Sequence, residues 1–401
     1  MSGYIDLLKA RGVARIISAQ LVARLPSGML SLAFLIHIER IFDSYGSAGL
    51  VLAATSVGQA VAGPLTSRWM GRLGMRPVLI TTLLICATGI ALIAFAPLPL
   101  WGYMLVALVT GLSNPPIQPA VRTIYPKMVT SKQLTPLFSL DASAQELIWI
   151  MGPVVTVFLA LQISPVVAIA VAGSFLILGG TWFISSPEVG KVRIPPSKHR
   201  IGVVLKNRAV LLATLTGFLM IGSAAAIEVG VVAVFGEGGA EAGLLLGIWA
   251  IASLVGGLSM GHLPIGPWAL TRRLAIIFVG MSMAPFALEF WWLAIALCVA
   301  GIGIAPALAV MFAIVSASVK FSATAEAYGW LGTGQLIGAA LGSAIAGFVI
   351  DDIGPVGGFY TAIGFALAAT VVGAMFVRWH PDLRGRDASP LPDTEPVTTI
   401  S

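Results

Sequence analysis

Long apolar runs broken by short polar stretches set the pattern of this chain from Ala14 to Val377. Ala48–Leu65 and Pro77–Phe95 are both apolar almost throughout, and a glycine-rich basic stretch separates them. A helix rises 1.5 Å per residue, so about 20 apolar residues cross the hydrocarbon layer of a bilayer. Twelve segments suit that task. The first six fall near Ala14–Ile38, Ala48–Leu65, Pro77–Phe95, Leu100–Ile124, Leu137–Leu161 and Pro165–Ile184. The second six fall near Ala209–Phe235, Ala242–His262, Leu274–Leu288, Phe290–Val319, Ala327–Ile350 and Val356–Val377. Strands of alternating polarity, the mark of an outer-membrane barrel, are absent. The pattern predicts an all-α integral membrane protein with twelve transmembrane helices.

Composition excludes a water-soluble core. Of 401 residues, 58% are hydrophobic and 10% charged, and the mean hydropathy is +0.96; soluble domains carry about 25% charged residues. The net charge of +6 does not point to nucleic acid, because topology distributes the basic residues. All fall on one side except Arg24, inside the first span, and Arg40. The opposite side collects Glu39, Asp43, Glu237, Glu241, Glu289, Asp351 and Asp352. By the positive-inside rule both termini are expected in the cytoplasm, with the chain in the inner (plasma) membrane. The start, MSGYIDLLKARG, is amphipathic and is expected to be retained.

Between the second and third spans, Gly63–Leu79 reads GPLTSRWMGRLGMRPVL. Arg68, Arg72 and Arg76 recur every fourth residue, and Gly71 and Gly74 lie between them. A tight turn at the membrane surface is expected. Ser67, Gly71, Arg72, Gly74 and Arg76 fall on the Gly-x-x-x-Asp-Arg-x-Gly-x-Arg loop of the major facilitator superfamily, which this stretch resembles. The first Gly is here Ser67 and the Asp is Gly71.

The two halves read as repeats. AGLVLAATSVGQAVAG from Ala48 aligns with AGLLLGIWAIASLVGG from Ala242, and the same offset sets Gly28 against Gly222. A nearby offset sets Gly111 and Pro116 against Gly301 and Pro306. The division is a six-helix half over 1–184, a basic connector over 185–208, a second half over 209–380 and a disordered polar tail over 381–401. Two pseudo-symmetric six-helix halves match the superfamily's topology, with substrate expected between them.

Charges inside apolar spans are the most informative residues, since each costs at least about 2.5–3.5 kcal/mol at mid-bilayer unless paired or hydrated. Arg24 and Glu146 lie at similar depth and could pair, either as a coupling site or as a structural bridge. Glu228, deep in the seventh span, reads as a proton carrier or cation ligand, or as a wetted residue near the mouth. Asn114 and Gln118, spaced four apart beside Pro115, Pro116 and Pro119, read as a substrate surface or as part of a kink. Arg122 and Asp141 are neighbours across a short connection, read as a surface latch. The resemblance implies a gate in which Arg68, Arg72, Gly74, Arg76, Arg122, Asp141 and Glu326 take part. Gly152-Pro153 resembles the core of a motif found in the family's antiporters. Gly334, Gly338 and Gly342 read as a close helix-packing face.

Cys86 and Cys298 lie in apolar runs, and His37, His199, His262 and His380 are scattered. No catalytic spacing, metal cluster or cofactor motif is present in the sequence. The expectation is a non-enzymatic, monomeric secondary transporter that couples protons to a small-molecule substrate in the lipid bilayer. Export of an amphiphilic compound is the leading reading. Uptake of a sugar or organic acid, with Arg24 as anion ligand, and a non-transporting sensor or scaffold are the alternatives.

Overall fold

The computed structural model describes residues 2–10, 12–197, 200–236, 240–385 and 388–393. Of the residues named from the sequence, Glu237 and His199 lie outside these. Among the described residues, eleven helices are long and apolar enough to cross a membrane. The remaining apolar segment forms two shorter helices, Leu100–Leu112 and Ile117–Ile124.

A short amphipathic helix, α1 (Ser2–Lys9), precedes the first span. That span bends at Leu25-Pro26 and consists of α2 (Val13–Arg24) and α3 (Pro26–Phe42). Proline has no N–H to continue the ladder, so the helix breaks and restarts there. The next two spans are α4 (Tyr45–Leu73) and α5 (Met75–Phe95). The fourth span is divided into α6 (Leu100–Leu112) and α7 (Ile117–Ile124) by the Asn-Pro-Pro break. Then come α8 (Ser131–Gln162) and α9 (Pro165–Ser185), with α10 (Pro187–Lys191) opening the connector. The second half consists of α11 (Arg208–Phe235), α12 (Ala240–Met260), α13 (Ala269–Met283), α14 (Phe290–Ser318), α15 (Phe321–Ile353) and α16 (Val356–Met375).

Small residues fix the crossings, and they do so in the same way in both halves. In the first half, Gly28 of α3 lies against the backbone of Gly152 in α8, and Gly58 of α4 lies against Gly111 of α6. In the second, Gly222 of α11 meets Gly342 of α15, and Gly301 of α14 meets Trp249 and Ala252 of α12. The face Gly334–Gly338–Gly342 rests on Thr214, Phe218 and Gly222 of α11, also spaced four apart. In a bilayer, where apolar burial gives helices little reason to associate, such backbone contact supplies the packing energy. The repeats read from the sequence therefore correspond to equivalent helix crossings.

Among the described residues, the closest backbone contacts between the halves lie at one end. Near the termini, Gly63 of α4 lies against Gly329 of α15, and the Thr333 hydroxyl donates to the Ala60 carbonyl at 2.8 Å. The Ser139 hydroxyl of α8 donates to the Gly257 carbonyl of α12 at 2.5 Å. Gly347 follows Gly329 on the same face of α15 after about five turns, yet a side chain there would meet no atom within 4 Å. The same holds for Gly49, towards the far end of α4. The halves thus diverge from a seal at the end that carries the termini.

Three expectations need correction. The arginine-rich stretch is helical almost throughout: α4 runs on to Leu73, so Arg68 and Arg72 stand on its last turns. Gly74 alone makes the turn, at φ +94°, a conformation that a Cβ disfavours. In the fourth span, Asn114 and Gln118 do not share a helical face, because the chain between Leu112 and Ile117 is not helical. The Asn114 amide donates to the Gly111 carbonyl at 3.1 Å and so replaces part of what the prolines remove. Lastly, the start of the tail is ordered. Leu383 N–H donates to the Ile265 carbonyl at 2.9 Å, and Leu391 pairs with the backbone of Val319 and Phe321. Leu383 and Ala388 are buried, and that apolar burial outweighs the polar composition which suggested disorder.

Candidate functional site

Arg122 and Asp141, expected as a surface latch, are both buried within the protein. Arg122 Nε donates to Asp141 Oδ2 at 3.0 Å. The other carboxylate oxygen accepts from Gln20 Nε2 at 3.1 Å and from the Tyr125 hydroxyl at 3.0 Å. With its amide oxygen turned inward, Gln118 accepts from both terminal nitrogens of Arg122 at 2.7 Å. A buried pair is tolerated when its remaining hydrogen-bonding capacity is met in this way.

Arg24 does not pair with Glu146. It donates to Gln20 Oε1 at 2.8 Å and to Gln145 Oε1 at 2.9 Å. Gln145 and Glu146 are consecutive on a helix, 100° apart, and so they face different neighbours. Angular position on the helix decides the partner. Glu146 turns to the second half, where the Ser253 hydroxyl of α12 meets its carboxyl group and Glu228 of α11 lies within electrostatic range. Ser253 also accepts from the Ala305 N–H of α14 at 3.1 Å. Glu146 is buried and Glu228 exposed. The two acids thus stand on opposite halves, within electrostatic range of one another.

Asn114 is exposed at the break in the fourth span, whereas Gln118 is occupied by Arg122. Among the loop arginines, Arg68 crosses between halves: its Nη1 donates to Glu326 Oε2 at 2.9 Å, with both side chains buried. Glu326 Oε1 also accepts from the Gly202 N–H of the connector at 2.8 Å. Arg76 stays within its own half and donates to the carbonyls of Ile184 and Ser186. Arg72 is exposed. A Cβ at Gly71 would lie 3.2 Å from the Pro195 carbonyl oxygen. The connector therefore packs where the superfamily's loop carries a carboxylate.

Sequence reasoning missed several members of this arrangement. The Arg122 guanidinium carbon sits 3.3 Å from the centre of the Phe312 ring, and Phe138, Phe312 and Tyr328 stack edge-on around it. One more aromatic residue in an apolar span gives no signal in the sequence. Gln20 could have been found, since it stands one turn before Arg24 on the same face. Arg273 was assigned to a loop but lies within α13, where it donates to the Pro306 carbonyl at 3.0 Å.

Two six-helix halves of equivalent construction, sealed at one end with polar groups at the divide, define a multi-pass membrane protein with a two-half transporter fold. The profile of the Major Facilitator Superfamily matches residues 16–288 and 263–399. The chain belongs to that superfamily, whose members are transporters. Solved structures of similar fold include the human organic anion transporter MFSD10 (TETRAN), with TM-score 0.70 and 18% identity, covering 90% of this chain and 99% of that one. A bacterial homologue of the iron transporter ferroportin in its outward-facing state aligns with TM-score 0.72 and 13% identity, over 92% and 99% of the two chains. The E. coli fucose:proton symporter FucP aligns with TM-score 0.68 and 16% identity, over 92% and 98%. No curated protein sequence gives a significant match.

Proposed function

We propose that this protein is a proton-coupled secondary transporter that exports a small amphiphilic compound by alternating access. The carrying observation is that Glu146, buried in α8, turns to Ser253 of the second half, with Glu228 of that half within electrostatic range. A carboxyl group held away from water favours its neutral form, and a second carboxylate within range adds to that preference. Rocking of the halves changes their separation, so their proton occupancy and the direction in which the site opens are linked. With the basic end in the cytoplasm of an inner-membrane protein, the seal described above is cytoplasmic and the site opens outward. Protons would load from outside in this state.

Export is favoured by Gly152-Pro153, whose glycine packs directly on Gly28 and which resembles the antiporters' motif. The similar structures are named for organic anions, iron and fucose, so the substrate must be argued from this chain's own side chains. Arg68 and Glu326, with Arg122 and Asp141, would gate the inner end. The protein is expected to work as a monomer, since each chain holds both halves.

The test is internal pH in proteoliposomes while candidate compounds are added. Compound-driven proton movement is expected with wild-type protein, opposite in direction to the compound. Glu146→Gln and Glu228→Gln should each carry the compound down its gradient without moving protons. Undiminished proton coupling in both variants would refute the carboxylate assignment.

A further inference from the structure

Five polar side chains of the first half form a closed ring: Arg24, Gln20, Asp141, Arg122, Gln145 and back to Arg24. The ring holds two guanidinium groups and one carboxylate. Asp141 is engaged directly by Arg122 and reaches Arg24 only through the neutral amide of Gln20. Tyr125 contributes a neutral hydroxyl. Glu146, next to Gln145 in the chain, turns to Ser253. Among the described residues, no carboxylate forms an ion pair with Arg24.

Neutral amides fix the guanidinium without neutralising it. An arginine has five N–H donors, and the two amide bonds of Arg24 leave others to offer. Fixed donors whose nearest carboxylate, Asp141, is engaged directly by Arg122 and acts on Arg24 only at a distance are suited to an anion that comes and goes within a membrane, where charge is costly. The second half adds an independent observation. Trp249 Nε1 is a buried donor without an acceptor. It stands one turn from Ser253, the second-half contact of Glu146. The second half therefore also holds an unmet donor near the divide, and such a donor calls for an acceptor-rich ligand.

We infer that Arg24 is an anion-binding residue and that the compound carried is an amphiphilic carboxylate. This rests on the transport reading for its physiological meaning, though not for its chemistry. A planar carboxylate matches the guanidinium fork and can take two parallel hydrogen bonds from it. Gln20 and Gln145 act as positioning residues that hold the fork still.

Matched aryl and alkyl carboxylates, primary amides and primary amines of equal size serve as probes, with binding read by thermal shift in nanodiscs and flux in proteoliposomes. Wild-type protein should prefer the carboxylates by about tenfold or more. Arg24→Gln should abolish that preference, and Arg24→Lys should restore part of it. Equal binding of all three probe classes would overturn the assignment, even if flux is robust. Charge-selective binding without flux would support it and count against transport instead. A separate reading needs no ligand: Arg24→Gln removes a charge that has no direct ion pair, so the ligand-free protein should keep or raise its Tm. A fall of several degrees would mean that Arg24 is structural, and would overturn the inference.

Discussion

Arg122 stacks on Phe312 with 3.3 Å between its guanidinium carbon and the ring centre, and this contact joins α7 of one half to α14 of the other. A desolvated cation–π contact contributes about 2 kcal/mol, or roughly 30-fold in a conformational equilibrium. Phe312→Leu keeps an apolar side chain but removes the π face. It should therefore favour the state open at the terminal end. Alkylation of a cysteine placed at Ser139, in a cysteine-free background, should quicken by up to that factor. An unchanged rate would leave Phe312 with a packing role only.

Gly329 and Gly63 meet backbone to backbone, and a Cβ on Gly329 would stand 2.6 Å from the Gly63 carbonyl oxygen. Neither backbone can yield without separating α4 from α15. Gly329→Val should hold the seal open and lower transport by about tenfold or more, while the halves themselves still fold. Spin labels on the terminal ends of these helices would report the separation. A distance distribution identical to wild type would refute the steric argument.

Arg68 and Glu326 pair across the seal while buried, and breaking such a pair from one side costs about 3–5 kcal/mol. Glu326→Gln and Arg68→Gln should each open the terminal end. The double variant should recover part of the loss, because no buried charge is left alone. Strict additivity in the double-mutant cycle would show that the two residues do not interact.

His380 anchors the start of the tail. Its Nδ1 lies 2.6 Å from the Pro381 carbonyl oxygen, and Nε2 is buried without a partner. Burial pushes its pKa below the ordinary 6.5, and nearby Arg273 adds to this, while the Pro381 carbonyl and Asp382 oppose it. The folded anchor thus favours neutral imidazole. Its stabilisation is complete above pH 6.5 and is lost as pH falls from there through the lowered folded value. Hydrogen-exchange protection of the Leu383 and Leu391 amides should drop between pH 7.5 and 5.5, and should stay flat in His380→Gln. Rising protection in acid would reverse the assignment.

What could be read in the sequence followed from periodicity and cost. Apolar length placed the spans, because an unsatisfied backbone cannot stand in lipid. Gly334, Gly338 and Gly342 announced a packing face because their spacing already encodes a helix side. Arg24, Glu146 and Glu228 stood out because charge is rare where hydration is absent. Which of them would meet was hidden. Gln145 and Glu146 are adjacent in the chain, yet one serves Arg24 and the other faces Ser253 and Glu228.

The sequence by itself determined the class of fold, the duplicated halves and the set of costly residues, since each depends on local composition or on a fixed helical period. Only the tertiary structure decided the pairings: Arg122 on Phe312, Arg68 with Glu326, and Arg24 held between two amides. Those depend on the rotation and tilt of helices far apart in the chain. Side-chain packing sets such angles over many contacts, and no single stretch of sequence records them.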